Sequence, residues 1–212
     1  MRNKNFHLTK YGHLKTLLTF ILIFISFAAS AQPTKMVVDN FYFNQKLPSD
    51  TPGLFAPGII SNELGNRDMA ISPAGDELFY TIQYYRGLVS VIMHSKKTNG
   101  KWSKPEVASF SGVYGDLEPA FSADGTKLFF VSNRTLNNQD KPKDYDIWFV
   151  TKGKGEWTNP QNIGAPVNSD KDEFYPSLTK HGDIYFTRAV ESREEDILFC
   201  RYSNGKYEAA AA

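Results

Sequence analysis

The sequence predicts an all-β chain: three repeated antiparallel units of four short strands each, after an N-terminal export signal. Three observations carry this reading. One pattern recurs, as "DMAISPAGDELFYT" from Asp68, "EPAFSADGTKLFFVSNR" from Glu118 and "YPSLTKHGDIYFTR" from Tyr175, and fixed-period self-similarity marks a repeat architecture. Aligning Gly75, Gly125 and Gly182 gives spacings of 50 and 57 residues, and aligning Trp102, Trp157 and Tyr207 gives 55 and 50. After Gln32, no run of a dozen residues shows the i, i+3, i+4, i+7 apolar spacing of a helix. Short runs of Phe, Tyr, Val and Ile alternate instead with Gly, Pro, Asn and Asp, as in all-β chains. Finally, the middle strands of each unit are apolar almost without interruption, as in "LFFV" and "IWFV". A strand with one wet face alternates, so a continuous run asks for cover on both faces. Sheets stacked flank to flank provide it.

The elements follow in order. Residues 1–31 read as a secretory signal peptide. Arg2, Lys4, Lys10 and Lys15 precede an uncharged stretch, "LLTFILIFISFAA", which ends in the small-x-small pattern Ala29-Ser30-Ala31. Thirteen apolar residues fall short of the roughly 20 that span a bilayer, so cleavage after Ala31 is expected, with delivery to the periplasm, the medium or the cell surface. Gln32 rather than Cys follows the cut, which argues against a lipoprotein, and no later segment can span a membrane. Residues 32–52, with Pro33, Pro48 and Pro52, read as a leader. "GLFAPGIIS", from Gly53, resembles the end of an outer strand preceding the first unit.

Residues 53–212 form the repeat region, with units at about 63–112, 113–168 and 169–212. Strand a is "MAIS", "PAFS" or "PSLT", and strand b is "ELFYT", "KLFFVS" or "DIYFTR". Strand c is "LVSVIMH", "YDIWFVT" or "EDILFCR". Glycine in the a–b turn supplies positive φ at low cost, and Asn-Gly after strand c is a strong hairpin signal. Strand d opens on the aromatic residue: "KWSKPEVASF", "EWTNPQNIG" and a cut-short "KYEAA". Pro105 and Pro160 belong at a sheet edge, because proline cannot donate to a ladder. This is the grammar of a partial β-propeller. A closed ring takes 4 to 8 blades, so three leave open faces. The expectation is that the chain is part of a longer protein, or that missing blades or a second chain cover those faces.

The units resemble the WD40-like repeats of the TolB-type propeller family. "EPAFSADGTKLFFVSNR" with "YDIWFV" carries that family's core pattern, and the match runs from about Glu63 to Glu208. The first unit departs from it at Met69, Ala74 and Ser90, and the third at His181. The resemblance implies a propeller in the cell envelope, in a family whose members have many functions.

Composition excludes some classes. Signal cleavage removes four cations and no acid, leaving 20 Lys and Arg against 23 Asp and Glu, near −3. A weakly acidic chain without a basic run does not suit nucleic acid or anionic membranes. Cys200, the single cysteine, sits in an apolar strand and reads as inert core. His94 and His181 are the only histidines after the signal, too few for a histidine-rich metal centre or triad. No cofactor or metal is expected, and no catalytic residue is assigned.

The candidate binding residues collect on one loop face. Arg67, Asp68, Asp116, Glu118, Asp172 and Glu173 come from the d–a side. Arg134, Arg188 and the long loop from Thr135 come from the b–c side. Loops on a rigid scaffold are where recognition concentrates. Arg134 with Asp146, and Arg188 with Asp196, read as cross-strand ion pairs. Asp68 and Glu118 occupy equivalent positions that could line a central channel and take a cation or sugar hydroxyls. The expected function is a non-catalytic secreted or periplasmic scaffold that binds an envelope protein or a polysaccharide. The alternative is a propeller enzyme, a carbohydrate lyase or glycoside hydrolase, in which Asp68, Asp116, Glu118 and Glu173 are the plausible carboxylates.

Overall fold

In the computed structural model, residues 38–39, 43, 45, 49–136, 144–191 and 194–212 are described. They form an all-β partial propeller of three stacked antiparallel sheets. Residues 1–31, read above as the signal peptide, lie outside the described residues, as does 137–143 of the long b–c loop. Among the described residues, no helix is long and apolar enough to cross a membrane.

The first sheet holds β1 (Val38–Asp39), β2 (Gly65–Ile71), β3 (Glu77–Tyr84), β4 (Val89–Thr98), β5 (Lys101–Trp102) and β6 (Glu106–Val107). Its order is β1-β5-β4-β3-β2, with β6 also pairing on β4. The second holds β7 (Asp116–Phe121), β8 (Lys127–Ser132), β9 (Asp146–Thr151) and β10 (Gln161–Asn162), in reverse order across the sheet. The third holds β11 (Glu173–Leu178), β12 (Ile184–Glu191) and β13 (Glu194–Cys200), followed by a hairpin of β14 (Tyr202–Ser203) and β15 (Lys206–Tyr207).

Each a–b turn is built by the same local chemistry. A hydroxyl at the end of strand a accepts from the backbone where strand b begins: Ser72 from Glu77 N at 3.0 Å, Ser122 from Lys127 N at 2.9 Å, and Thr179 from Asp183 N at 3.2 Å. Gly75, Gly125 and Gly182 donate back to those same three residues' carbonyls at 2.8, 2.9 and 3.0 Å. They do so at φ of 68°, 70° and 91°, where any other residue would be strained.

The outer strands differ from expectation. Strand d is broken in two. Trp102 pairs with Lys97 at the end of β4, and only after Pro105 does Val107 return to Met93. In the second sheet Trp157 bridges Lys152, and β10 follows directly on Pro160. The prolines therefore occupy the interruptions, where no ladder bond is lost. In the third sheet, Phe199 and Ala211 exchange hydrogen bonds of 2.7 and 2.9 Å, so a bridge fills the outer slot that the sequence reads as cut short. "GLFAPGIIS" is not a strand end. Ile59 N and Ile60 N both return to Ala56 O, at 3.0 and 2.9 Å, which makes a compact turn.

That turn covers one end of the stack. Ala56 and Ile60, with Phe43, pack on Leu78, Tyr80 and Trp102 of the first sheet, and Phe43 stacks on Trp102 at 5.1 Å. Between the first and second sheets lie Phe79, Ile92, Phe110, Leu128, Phe130, Trp148 and Val150. Between the second and third lie Leu117, Phe129, Val131, Ile147, Ile184, Phe186 and Cys200. Strand b thus sends alternate residues into the layers on either side of it, which is why its sequence is apolar without a break. Each such side chain contributes about 1.5–3 kcal/mol on burial. On the far face of the third sheet, Ile197 is 71% exposed.

Candidate functional site

Strand a of each unit, β2, β7 or β11, carries the same defect. Register shifts between Arg67 and Ala70, between Leu117 and Ala120, and between Phe174 and Ser177. The residues at these bulges, Asp68, Glu118 and Tyr175, hold φ of 54°, 56° and 53°. Bulges of this kind re-aim side chains and recur beside functional sites.

Here they bring three sheets together. Arg67 Nε meets Asp68 Oδ2 at 2.5 Å. Arg67 Nη2 donates to Glu118 Oε1 at 2.9 Å and to the Tyr175 hydroxyl at 2.8 Å. The other Glu118 oxygen accepts from Tyr175 N at 2.6 Å, and Glu118 N donates to Thr81 Oγ1 at 3.1 Å. The guanidinium also lies 5.6 Å from the Tyr175 ring centre. Glu118 is almost wholly buried, whereas Tyr175 is 53% exposed. Burial pushes the Glu118 carboxyl up to about 7. The Tyr175 N–H and Arg67 pull the other way, and the negative charges of Asp68 and Glu195 add to the rise. Asp68 is also raised, by burial, against the pull of Arg67. The cluster is a proton-sensitive carboxylate clamped by one arginine, with an aromatic ring at its mouth.

The remaining sequence-selected residues form two other groups, both internal to the sheets. Asp116 accepts from Arg134 Nη2 at 2.6 Å, from Ser132 at 2.6 Å and from Ser111 at 2.8 Å. Arg134 further donates to Phe110 O at 3.1 Å and sits 5.0 Å from the Phe130 ring centre. Glu173 accepts from Arg188 Nε at 2.7 Å and from the Ser169 hydroxyl at 2.5 Å, and Arg188 Nη2 donates to Val167 O at 2.8 Å. These are cross-strand ion pairs, as expected in kind, but the strand-a carboxylate is the partner. Arg188 stands between Glu173 and Asp196 in backbone register, and its guanidinium turns to Glu173. Asp146 accepts from Asn162 at 2.9 Å, and Asp172 from Tyr145 N at 2.7 Å. The eight residues expected on one loop face therefore divide: Arg67, Asp68 and Glu118 share a site, and Asp116, Arg134, Asp172, Glu173 and Arg188 tie strands and loops together.

Sequence reasoning missed Tyr175 and Thr81. The signal for Tyr175 was present, because it aligns with Asp68 and Glu118, but a tyrosine among carboxylates reads as strand. It also missed a buried knot between the first two sheets. Glu77 meets Lys152 Nζ at 2.6 Å and His94 Nε2 at 3.3 Å. Burial pushes the Glu77 carboxyl upward, but His94 and Lys152 outweigh it and hold the group at about 2. Among the described residues, no group of three or more His, Cys, Asp or Glu side chains is placed to hold a metal ion.

The fold and the three-sheet cluster define a β-propeller-like module. No family model matches the chain, and no curated protein does. Among solved structures it is similar to a puromycin-hydrolyzing peptidase of Mycobacterium tuberculosis. Identity is 14% and the TM-score 0.49, over 69% of this chain and 21% of that one. The chain thus spans about a fifth of the peptidase's length, and a likeness at this level carries no argument about activity.

Proposed function

We propose that this chain is a TolB-type propeller scaffold of the cell envelope, exported by residues 1–31, which binds a polysaccharide without catalysis. The observation that supports this most is the junction of Arg67, Asp68, Glu118 and Tyr175 at three successive bulges. A guanidinium and carboxylates on rigid strands suit sugar hydroxyls, and the exposed Tyr175 ring offers a flat apolar face for a pyranose. Both oxygens of Glu118 are already engaged, which favours holding over proton shuttling. The test is affinity electrophoresis of the mature chain through gels containing neutral and acidic envelope polysaccharides. Retardation by at least one of them, reduced at least tenfold in affinity by Tyr175→Ala and by Arg67→Ala, is expected. Equal retardation of both variants and the parent would refute the role of the cluster. Release of shortened glycan would move the protein to the alternative class, a carbohydrate-cleaving enzyme. Capture of an envelope protein through the same residues, with no glycan bound, would replace the polysaccharide.

A further inference from the structure

The two inter-sheet layers are built on one plan, but they carry different residues at the a–b turn end of the strands. Between the first and second sheets, Phe79 takes His94 face to face at 4.2 Å and the edge of Trp157 at 5.8 Å, with Phe121 at 5.7 Å. Beside these rings, the Glu77 carboxylate is neutralised by Lys152, with His94 Nε2 at 3.3 Å. The repeat puts different residues in the same places between the second and third sheets. Phe129 pairs with Phe149 as Phe79 pairs with His94. Leu178 stands for Phe121 and Tyr207 for Trp157, so two bulky side chains shrink. Lys127 stands for Glu77, and Tyr202 stands for Lys152. A cation has replaced the acid, and the cation that neutralised the acid has become a tyrosine.

The result is a cleft of about 330 Å³, walled by Phe129, Phe149, Tyr202 and Tyr207 and edged by Lys127. Tyr202 and Tyr207 lie 5.0 Å apart, tilted to each other. The Lys127 ammonium sits 4.9 Å from the Phe149 ring centre and meets no carboxylate among the described residues. Asp124 also borders the cleft, but its Oδ1 accepts from Ser122 Oγ at 2.6 Å and Thr126 N at 3.0 Å, and its Oδ2 from Thr126 Oγ1 at 2.9 Å. Lys180 and His181 add donors at the rim. Pockets that hold small molecules start at about 300 Å³, mostly apolar with a few placed polar groups, and this one sets the half-buried Lys127 beside an aromatic floor.

We propose that this cleft binds a ring-bearing monocarboxylate. Its ring lies among Phe149, Tyr202 and Tyr207, and its carboxylate meets Lys127. The site is separate from the bulge cluster, at the opposite ends of strands β7 and β11, and does not depend on the polysaccharide reading. A free aromatic acid and the C-terminal phenylalanine of a peptide share this chemistry.

The test is amide chemical-shift mapping of the ¹⁵N-labelled mature chain. Phenylacetate represents the free acid, N-acetyl-phenylalanine the peptide end, and phenylacetamide is the neutral isostere. Saturable shifts at residues 122–127, 178–182 and 202–207 are expected, with Kd of about 1 mM or tighter. The neutral amide should bind at least tenfold more weakly, a comparison that uses the unaltered protein. Lys127→Met should abolish the preference for the acid while leaving the melting temperature unchanged. Stronger binding of N-acetyl-phenylalanine than of phenylacetate would assign the site to peptide ends, and the reverse order to free acids. Shifts that map to the Glu77–Lys152 layer, equal affinity for acid and amide, or no shift up to about 10 mM would overturn the proposal.

Discussion

Replacing Glu118 by glutamine should make the protein more stable at alkaline pH and not at acid pH. Glu118 is 5% exposed, and burial lifts its carboxyl from the ordinary value of 4.5 to about 7. A group that binds its proton more tightly when folded favours the folded state below its unfolded pKa. That contribution is lost as pH rises through the folded pKa. The sign for Glu118 is therefore a loss of stability between pH 4.5 and about 7. The rise from 4.5 to about 7, at about 1.36 kcal/mol for each tenfold change in proton affinity, is worth about 3 kcal/mol. Glutamine keeps an oxygen to accept from Arg67 or Tyr175 N but has no proton to lose. Urea unfolding, followed by tryptophan fluorescence at about pH 4 and about pH 8, measures the difference. The stability of Glu118→Gln relative to the parent should rise by about 3 kcal/mol from the acid to the alkaline condition. A difference that stays constant, or that moves against the variant, would show that the Arg67 guanidinium and the Tyr175 N–H hold Glu118 ionised and that burial does not dominate.

Glu77 has the opposite sign. Held at about 2, it contributes stability above pH 4.5 that is lost as pH falls toward 2, so Lys152→Met should move the midpoint of acid unfolding upward. Arg134→Met leaves the Asp116 carboxylate buried without its cation and should cost about 3–5 kcal/mol in urea unfolding. Adding Asp116→Asn should recover part of that loss. Phe79→Ala empties the centre of the first layer and should lower stability by about 3–5 kcal/mol, read as a thermal midpoint shift.

Much of the fold was legible because its causes are local. The Ser or Thr hydroxyl, the glycine at positive φ and the apolar run of strand b all act within about ten residues, so all three copies show in the sequence. The break in strand d was not legible. Pro105 and Pro160 announce an edge, but whether they sit in the edge strand or in a gap depends on where Trp102 and Trp157 dock. "GLFAPGIIS" failed for a similar reason, since its apolar residues suit a strand as well as a turn, and the apolar flank of Leu78 and Tyr80, which the turn covers, made the choice.

The candidate site divides along the same line. Asp68 and Glu118 were visible as equivalents, since the repeat sets their positions. Arg67 reaches Glu118 across 51 residues and Tyr175 across 108, and no local pattern encodes such a meeting. Arg188 shows the limit most clearly: on the middle strand it stands between Glu173 and Asp196 in backbone register, and the carbonyl of Val167 beside Glu173 decides which of the two takes the guanidinium.

The sequence by itself determined the repeat, its hairpin turns and the two-sided burial of the middle strands, because hydrogen bonding and apolar periodicity act between near neighbours. Only the tertiary structure decided which charges meet, which flank is covered and which layer keeps a cleft, because those follow from how three sheets rotate and stack against one another.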